Sequence, residues 1–311
     1  MIESEADLEA LRRRAFSIAY RMLGSVVEAE DVVQEALIRL HRVRESGSEI
    51  ASLRAYVTTV ATRLAIDHLR SARVRREQYV GDWLPEPLVE SGEGDPAQHA
   101  EMIDSLSVAF LAVLERLSPE QRAVLLLRDV FDYGYDEIAQ ILDRTQESVR
   151  QLAVRARRHV REQRPRFAVS RQQHERLASG FFAAVVDGDV QALEALLTED
   201  VVLRGDGGGK APALGHSIVG RSEVARTMLA WARLGQGFGG SMQRVTVNGG
   251  PGALVMDSDG HLLAVWALDI AGPQIRGVAS IVNPDKLRHI AAVGSMRDAL
   301  SSVRRRRPGS G

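Results

Sequence analysis

The sequence predicts a multidomain chain with two all-α domains, the second a helix-turn-helix, followed by an α+β domain. Three observations support this fold class. Apolar residues recur at helical spacing through residues 8–72, and a three-residue turn separates two short amphipathic helices near residue 144. After residue 200, β-type runs alternate with glycine-rich turns. A chain of 311 residues is long enough for two or three such domains.

The first domain, predicted over residues 1–80, contains three helices. Apolar stripes place them at 8–23, 28–43 and about 51–72. Gly24 and Ser25 end the first helix, and the third carries charged residues on its outward face. We predict that this outward face also includes Thr58.

An acidic linker is predicted over residues 81–107. No Lys or Arg occurs from Pro85 to Glu115, and several acids, prolines and glycines fill that interval. The simpler interpretation is a solvated spacer. The alternative is a segment that threads through a basic channel meant for nucleic acid.

The second domain, predicted over 108–166, is built around two helices and the turn between them. Ser118 followed by Pro119 is typical of a helix start, and 131–134 breaks the helix that follows. After the turn, a helix from about Gln146 carries six arginines off its apolar face: Arg150, Arg155, Arg157, Arg158, Arg161 and Arg164. This one-sided basic face favours phosphate binding, although a solvated helix in a bundle is the alternative.

The third domain, predicted over 170–290, combines helices with an antiparallel sheet. Two helices precede β-type runs from Val201 onwards, and a further helix is predicted at about 222–234. A basic, disordered tail is predicted over 291–311, because the chain ends in RRRRPGSG.

Composition excludes several kinds of site. The chain has no Cys, which excludes disulfides, thiolate catalysis and Cys-based zinc sites. Its eight His are scattered without a metal-ligand spacing, so neither a metal nor a cofactor is expected. No signal peptide is visible and no apolar run approaches the ~18 residues of a membrane helix, so we expect a cytoplasmic protein without a membrane partner.

The first two domains resemble an extracytoplasmic-function (ECF) sigma factor of the sigma-70 family. The run EAEDVVQEALIRLHR at 28–42 is similar to the segment that docks on RNA polymerase, and 53–76 resembles the element that melts and reads the −10 region. Residues 117–162 resemble the −35-reading domain, although Asp143 stands where such turns usually carry Gly. Since Asp tolerates the left-handed conformation, the turn is expected to form.

This resemblance implies three sets of binding residues and two macromolecular partners. The partners are promoter DNA and core RNA polymerase, through its β′ clamp and β flap. The polymerase-facing set is Asp31, Gln34, Glu35 and Ile38. The −10 set is Arg63, Asp67, Arg70 and Arg73, and the −35 set is Gln146, Ser148, Arg150, Arg155 and Arg158.

Residues 170–290 resemble a SnoaL-like domain of the NTF2-like superfold, a curved sheet with helices around a pocket. WLPEP (83–87), DGGGK (206–210) and NPDKL (283–287) match the subfamily that fuses this domain to a sigma factor. The resemblance implies regulation in cis, with no separate membrane anti-sigma factor. The implied regulatory residues are Trp83, Leu84, Pro85, Asp206, Gly207, Gly208, Lys210, Asn283, Pro284, Asp285 and Lys286.

We expect WLPEP to dock near the other two motifs, with Trp83 as its anchor. Asn283 is expected to cap a short helix that begins at Pro284. DGGGK does not fit a phosphate-binding P-loop, because Arg204 and Ala211 stand where that motif needs Gly and Ser or Thr.

The resulting prediction is a sigma factor without enzymatic activity. An alternative is that the SnoaL-like domain acts as a small-molecule sensor or an isomerase-like enzyme fused to a DNA-binding module. The candidate pocket residues of that enzyme are Asp206, His216, Asp257, Trp266 and Asp269. A simple DNA-binding repressor is disfavoured, because it does not need the polymerase-docking helix.

Overall fold

The protein is described by a computed structural model that covers residues 5–90, 106–163 and 171–306. Its chain divides into two compact units. The first unit is formed by residues 1–78 and 111–164, and the second by residues 79–110 and 165–311. Within the described ranges, no helix combines the length and the apolar character needed to cross a membrane.

The helices of the first unit confirm the periodicity of the sequence. They are α1 (Glu5–Leu23), α2 (Val26–Glu45), α3 (Leu53–Glu77), α4 (Val108–Leu114), α5 (Pro119–Asp129), α6 (Tyr135–Leu142) and α7 (Gln146–Gln163). The start of α4 belongs by contact to the second unit. The prediction for Thr58 is wrong: it is fully buried, because α3 packs on more than one neighbouring helix.

The helix-turn-helix forms where the sequence places it. Ser118 caps α5 in a reciprocal pair with Gln121, in which the Gln121 amide donates to Ser118 Oγ (3.2 Å) and the Ser118 amide to Gln121 Oε1 (3.0 Å). Asp143 ends α6 with φ 52° and ψ 56°, which confirms the left-handed turn. Val149 and Ala153 of α7 then pack against α6 in one apolar core.

The second unit is an α+β domain, as predicted. Its first three helices are α8 (Arg171–Asp187), α9 (Val190–Leu196) and α10 (Arg221–Gly237). Its strands are β1 (Val89–Glu90), β2 (Leu197–Asp206), β3 (Ile218–Val219), β4 (Ser241–Val247), β5 (Gly250–Met256), β6 (Leu262–Ala271) and β7 (Gln274–Ile281), in the order β1-β4-β5-β6-β7-β2-β3. The sheet is not wholly antiparallel, because β2 and β7, far apart in sequence and not joined by a hairpin, pair in parallel.

Two segments differ from the sequence prediction. Part of the predicted linker is a strand, since Val89 and Glu90 pair with Val247 and Thr246 of β4; residues 91–105 lie outside the described part of the chain. The predicted tail contains a helix, α11 (Met296–Arg306), because its apolar residues recur at helical spacing. Residues 307–311 also lie outside the described ranges.

Candidate nucleic-acid and polymerase interface

The predicted polymerase-facing residues share one side of α2. Asp31 and Gln34 are exposed, Glu35 is half-buried, and Ile38 keeps 45% of its surface exposed. Glu35 accepts a hydrogen bond from Arg39 Nε at 2.7 Å. An apolar residue surrounded by acidic and amide groups on a surface helix is suited to protein docking, with charge to orient the partner.

The −10 set lies along α3, but two of its arginines are already engaged within the first unit. Arg63 Nε donates to the carbonyl of Ile141 (2.8 Å) and its Nη2 to that of Gln140 (3.2 Å), at the C-terminal end of α6. A guanidinium there satisfies orphan carbonyls and complements the helix dipole. Asp67 is exposed, and Arg73 follows on the same helix.

Arg70 makes a second connection between α3 and the helix-turn-helix half. Its Nη2 lies 2.6 Å from Glu120 Oε1 and its Nη1 3.5 Å from Asp67. The hydrogen bond that Arg70 donates to Glu120 raises the pKa of Arg70. Burial acts to raise the pKa of Glu120, but the hydrogen bond from Arg70, a backbone hydrogen bond and the positive charges of Arg70 and Arg144 together outweigh it, so the pKa is lowered. Residues predicted to meet the −10 DNA therefore bind protein groups in this arrangement.

A third connection joins α1, α3 and the break before α6. Arg14 donates from Nε to Thr58 Oγ1 (2.9 Å) and from Nη2 to the Tyr133 hydroxyl (2.7 Å), and that hydroxyl donates to Thr58 Oγ1 (3.0 Å). The Arg14 guanidinium also lies 5.5 Å from the ring centres of Phe131 and Tyr133. We call Arg14, Thr58 and Tyr133 the closing triad, since they hold the two halves of the unit together.

The −35 set lies at the start and along the outer face of α7. Gln146, Arg150, Arg155 and Arg158 are exposed and Ser148 is half-buried. The amide of Ser148 donates to Thr145 Oγ1 (3.2 Å), so Thr145 caps the helix. The N-terminal turn and the basic face of α7 are thus open to a partner such as a DNA groove.

Arg157, on the same helix, has a structural position instead. It donates from Nε to both carboxylate oxygens of Asp129 (3.2 and 3.0 Å) and from Nη1 to the Tyr135 hydroxyl (3.2 Å). The hydrogen bond to Asp129 raises the pKa of Arg157. Arg157 therefore ties α7 to α5 and α6, although it lies on the same helix as the exposed arginines.

In the second unit the three short motifs meet around a buried ion pair. Lys286 Nζ donates to Asp206 Oδ2 at 2.7 Å and to the Leu84 carbonyl, and lies 4.2 Å from the Trp83 ring centre. Asp206 is completely buried and accepts from the Leu84 amide (2.8 Å). We call this group the linker-docking cluster; its members are Tyr79, Trp83, Leu84, Asp206, Asn283 and Lys286.

Tyr79 completes the linker-docking cluster. Its hydroxyl donates to Asp206 Oδ1 (2.5 Å) and accepts from Asn283 Nδ2 (2.9 Å). Burial, and then the hydrogen bond to Asp206, raise the pKa of Tyr79 well above its ordinary value, so the phenol stays protonated. Leu84 is 1% exposed whereas Trp83 is half-buried, so Leu84 is the more deeply buried of these two neighbours; the role of Trp83 as the anchor stays a prediction.

The remaining residues of the three motifs lie next to the linker-docking cluster. Pro85 is buried, and Lys210 pairs with Asp285 at the surface. Gly208 has φ +56°, and a Cβ there would clash with the Asn283 side chain, which explains why glycine is needed. A Cβ on Gly207 would likewise clash with the carbonyl of Ala211. Asn283 accepts from the Asp285 amide (3.1 Å), which confirms the cap of the short helix that begins at Pro284.

Sequence reasoning missed several other linker contacts. Ser217 Oγ donates to Asp82 (2.7 Å), and His289 Nε2 lies 2.9 Å from the Pro87 carbonyl. Asn248, in the turn between β4 and β5, accepts from the Leu88 amide (2.9 Å) and donates to the Leu106 carbonyl (2.9 Å). In the sequence, Asn248-Gly249 is typical of a hairpin turn, and nothing local indicates that the Asn248 side chain binds the linker.

The candidate enzymatic residues do not form one site. Asp206 belongs to the linker-docking cluster, His216 is exposed, and Asp269 pairs with Arg276 at 3.0 Å. Asp257 accepts from the amides of Asp259 and His261 (both 2.9 Å), so a turn accounts for the grouping of these three side chains. Among the described residues, only Trp266 of the candidate set lines the cavity of this domain.

Comparisons with known proteins agree with this layout. Residues 8–75 match the family described as Sigma-70 region 2, and residues 107–160 match Sigma-70, region 4. The chain is 37% identical to the ECF RNA polymerase sigma factor SigJ of Mycobacterium tuberculosis over 290 residues, covering 90% of this chain and 92% of that protein. It is 32% identical to the probable ECF RNA polymerase sigma factor SigI of the same organism, covering 92% and 96% of the two chains.

A solved structure shows the same similarity in three dimensions. The crystal structure of Mycobacterium tuberculosis SigJ superposes with a TM-score of 0.75 at 33% identity. The match covers 92% of this chain and 98% of that chain, so it includes the α+β domain as well as the helical regions.

Proposed function

Because this chain belongs to the family of ECF RNA polymerase sigma factors, we propose that it binds core RNA polymerase and directs it to specific promoters, under the control of its own α+β domain. Two surfaces carry this proposal: the exposed face of α2 around Ile38, and the exposed basic face of α7. A sigma factor needs one surface for the polymerase and another for DNA, whereas a repressor needs only the second.

We also propose that the first unit is in a closed state. Arg63 and Arg70 of the −10 set bind α6 and Glu120, and the closing triad bridges the same two halves. DNA and these protein groups compete for the same guanidinium groups. Binding to the −10 element therefore requires the two halves to separate, at the cost of these hydrogen bonds.

Regulation in cis is proposed to act through the linker. Residues 79–90 form the first part of the segment that connects the two DNA-reading regions, and the α+β domain holds them, most deeply through Asp206 and Lys286. A docked linker restricts how far the −10 and −35 readers can separate, and an undocked linker restores that reach.

The partners implied by this function are the β′ clamp and β flap of core RNA polymerase, together with promoter DNA. Cytoplasmic localisation and the absence of a separate anti-sigma factor stay predictions. For the second of these, core polymerase and the full-length chain alone should respond to changes in the linker-docking cluster.

Run-off transcription with purified core polymerase tests the central proposal. The full-length chain should give promoter-specific transcripts. Ile38→Asp should reduce retention on the polymerase by ~10-fold or more, because it places a charge in the apolar centre of the docking face. Val219→Asp, which changes an exposed apolar residue (60% exposed) of the α+β domain, is the matched control and should retain binding. Failure of the unmodified chain either to bind core polymerase or to change its promoter choice would refute the sigma function.

A further inference from the structure

The α+β domain contains a partly open cavity of about 460 Å³ between its helices and its sheet. Trp231 of α10 and Trp266 of β6 lie side by side in its wall, with ring centres 6.1 Å apart and ring planes tilted by 35°. The volume lies within the range of roughly 300–1,000 Å³ that is typical of small-molecule sites. The cavity is separate from the residues assigned above to polymerase or DNA binding.

The chemistry of the wall is uniform. None of the described residues that line the cavity has an ionisable side chain. Most are apolar, and the polar side chains among them are those of Gln236, Ser241 and Ser280. A charged ligand would lose its hydration here without gaining a counter-ion, which is strongly unfavourable. Proton-transfer catalysis also lacks an acid or base at this wall.

One side of the cavity is covered by α11, which follows the NPDKL motif in the chain. Met296 and Leu300, one helical turn apart, line the cavity. Val303, one turn further on, packs against α10, where a Cβ added to Gly237 would lie 3.1 Å from Val303 Cγ1. In its described part, the cover is thus a short amphipathic helix that places three apolar side chains, those of Met296, Leu300 and Val303, against the domain.

We propose that this cavity binds an uncharged, apolar small molecule that contains an aromatic ring system. The two tryptophans provide ring faces for stacking or edge contact, and the three polar side chains can orient one or two polar groups of the ligand. The inference does not depend on the proposed sigma function, because ligand binding can be measured without polymerase or DNA.

Two probes that share one ring framework test the charge selectivity. N-Phenyl-1-naphthylamine is neutral, and 8-anilinonaphthalene-1-sulfonate carries the same rings with an added anion. Binding to the full-length chain is followed by energy transfer from tryptophan. We expect saturable binding of about one equivalent of the neutral probe, at least ~10-fold tighter than that of the anion. No saturable binding of the neutral probe, or equal affinity for both, would overturn the proposal.

Replacing either of two alanines by leucine tests where the probe binds. Ala264 of β6 lines the cavity, whereas Ala195 of α9 is exposed. Ala264→Leu should weaken binding of the neutral probe by ~10-fold or more, because the larger side chain fills part of the cavity. Ala195→Leu should leave the affinity for the probe unchanged. Thermal unfolding checks that each variant is folded. If Ala264→Leu does not fold, Leu300→Glu, on the half-buried cover, should produce the same loss; undiminished binding in the folded variant places the probe elsewhere and refutes the site.

Discussion

Removing the Lys286 amine should destabilise the α+β domain far more than removing the amine of the other lysine. Lys286 and Lys210 are the two lysines of the chain, and both form an ion pair with an aspartate. The Lys286 side chain is 8% exposed and its partner Asp206 is fully buried, whereas the Lys210 side chain is 56% exposed. Lys→Met keeps the length and the apolar stem and deletes the charge in both places.

The magnitude follows from what Lys286→Met leaves behind. Asp206 keeps its bonds from Tyr79 and from the Leu84 amide but loses the positive charge beside it, and the Leu84 carbonyl loses a donor. Breaking a buried pair by removing one partner typically costs ~3–5 kcal/mol. An exposed pair contributes ~0–1 kcal/mol, which bounds the effect of Lys210→Met. The expected difference between the two variants is therefore at least ~2 kcal/mol.

Urea unfolding followed by tryptophan fluorescence measures this difference. All three tryptophans, Trp83, Trp231 and Trp266, belong to the second unit, so the signal reports on that unit. Adding Asp206→Asn to Lys286→Met should recover part of the loss, because the uncompensated charge is removed. If the free energies of unfolding of Lys286→Met and Lys210→Met differ by less than ~1 kcal/mol, the buried pair does not hold the cluster together.

Three further predictions concern the first unit. Arg14→Ala should open the closed state and increase the fraction of chain bound to −10 DNA in a mobility-shift assay with core polymerase; unchanged binding would show that the closing triad does not limit access. Arg155→Ala should reduce the slope of log K against log salt concentration for −35 binding by about one unit. Arg157→Ala should instead lower the melting temperature, because Arg157 binds Asp129 and Tyr135. Because the pKa of Glu120 is lowered in the folded chain, its bond to Arg70 stabilises the fold at neutral pH, and this stability is lost as the pH falls through the lowered pKa. An NMR titration that gives Glu120 a pKa at or above the ordinary glutamate value would contradict this.

Local sequence signals were sufficient for the helices and for the turn at Asp143. Helical spacing of apolar residues, the Ser118 cap and the tolerance of aspartate for left-handed geometry are all properties of short segments. The error at Thr58 has the opposite origin. A helical pattern identifies one buried face, but whether a polar residue beside that face is covered by a second neighbour depends on tertiary packing.

The linker shows the same limit more clearly. Its acidic, proline-rich composition is typical of a solvated spacer, yet Val89 and Glu90 pair with a strand more than 150 residues away. Composition reports what a segment tolerates in isolation, whereas strand pairing depends on an edge that only the folded domain supplies. The three motifs could be recognised as a set, but that Lys286, Asp206 and Leu84 share one buried bond network could not be derived from their spacing.

The cavity and the linker-docking cluster lie on consecutive residues of the same two strand ends. Gly205 and Val282 line the cavity, while the neighbouring Asp206 and Asn283 bind the linker. The amides of Val282 and Asn283 both donate to the Asp206 carbonyl, at 2.8 and 3.0 Å, so the two walls are coupled through the backbone. A ligand that restrains one wall should therefore restrain the other.

The rates at which the two lysines are acetylated measure this coupling. Lys286 can react only when the linker releases it, and Lys210 reports the intrinsic reactivity of a largely exposed amine in the same domain. Saturating N-phenyl-1-naphthylamine should slow the modification of Lys286 by several-fold and leave that of Lys210 unchanged, as measured by peptide mass spectrometry. Equal changes at both lysines would indicate a general effect of the probe, and no change at Lys286 would mean that the cavity and the linker respond independently.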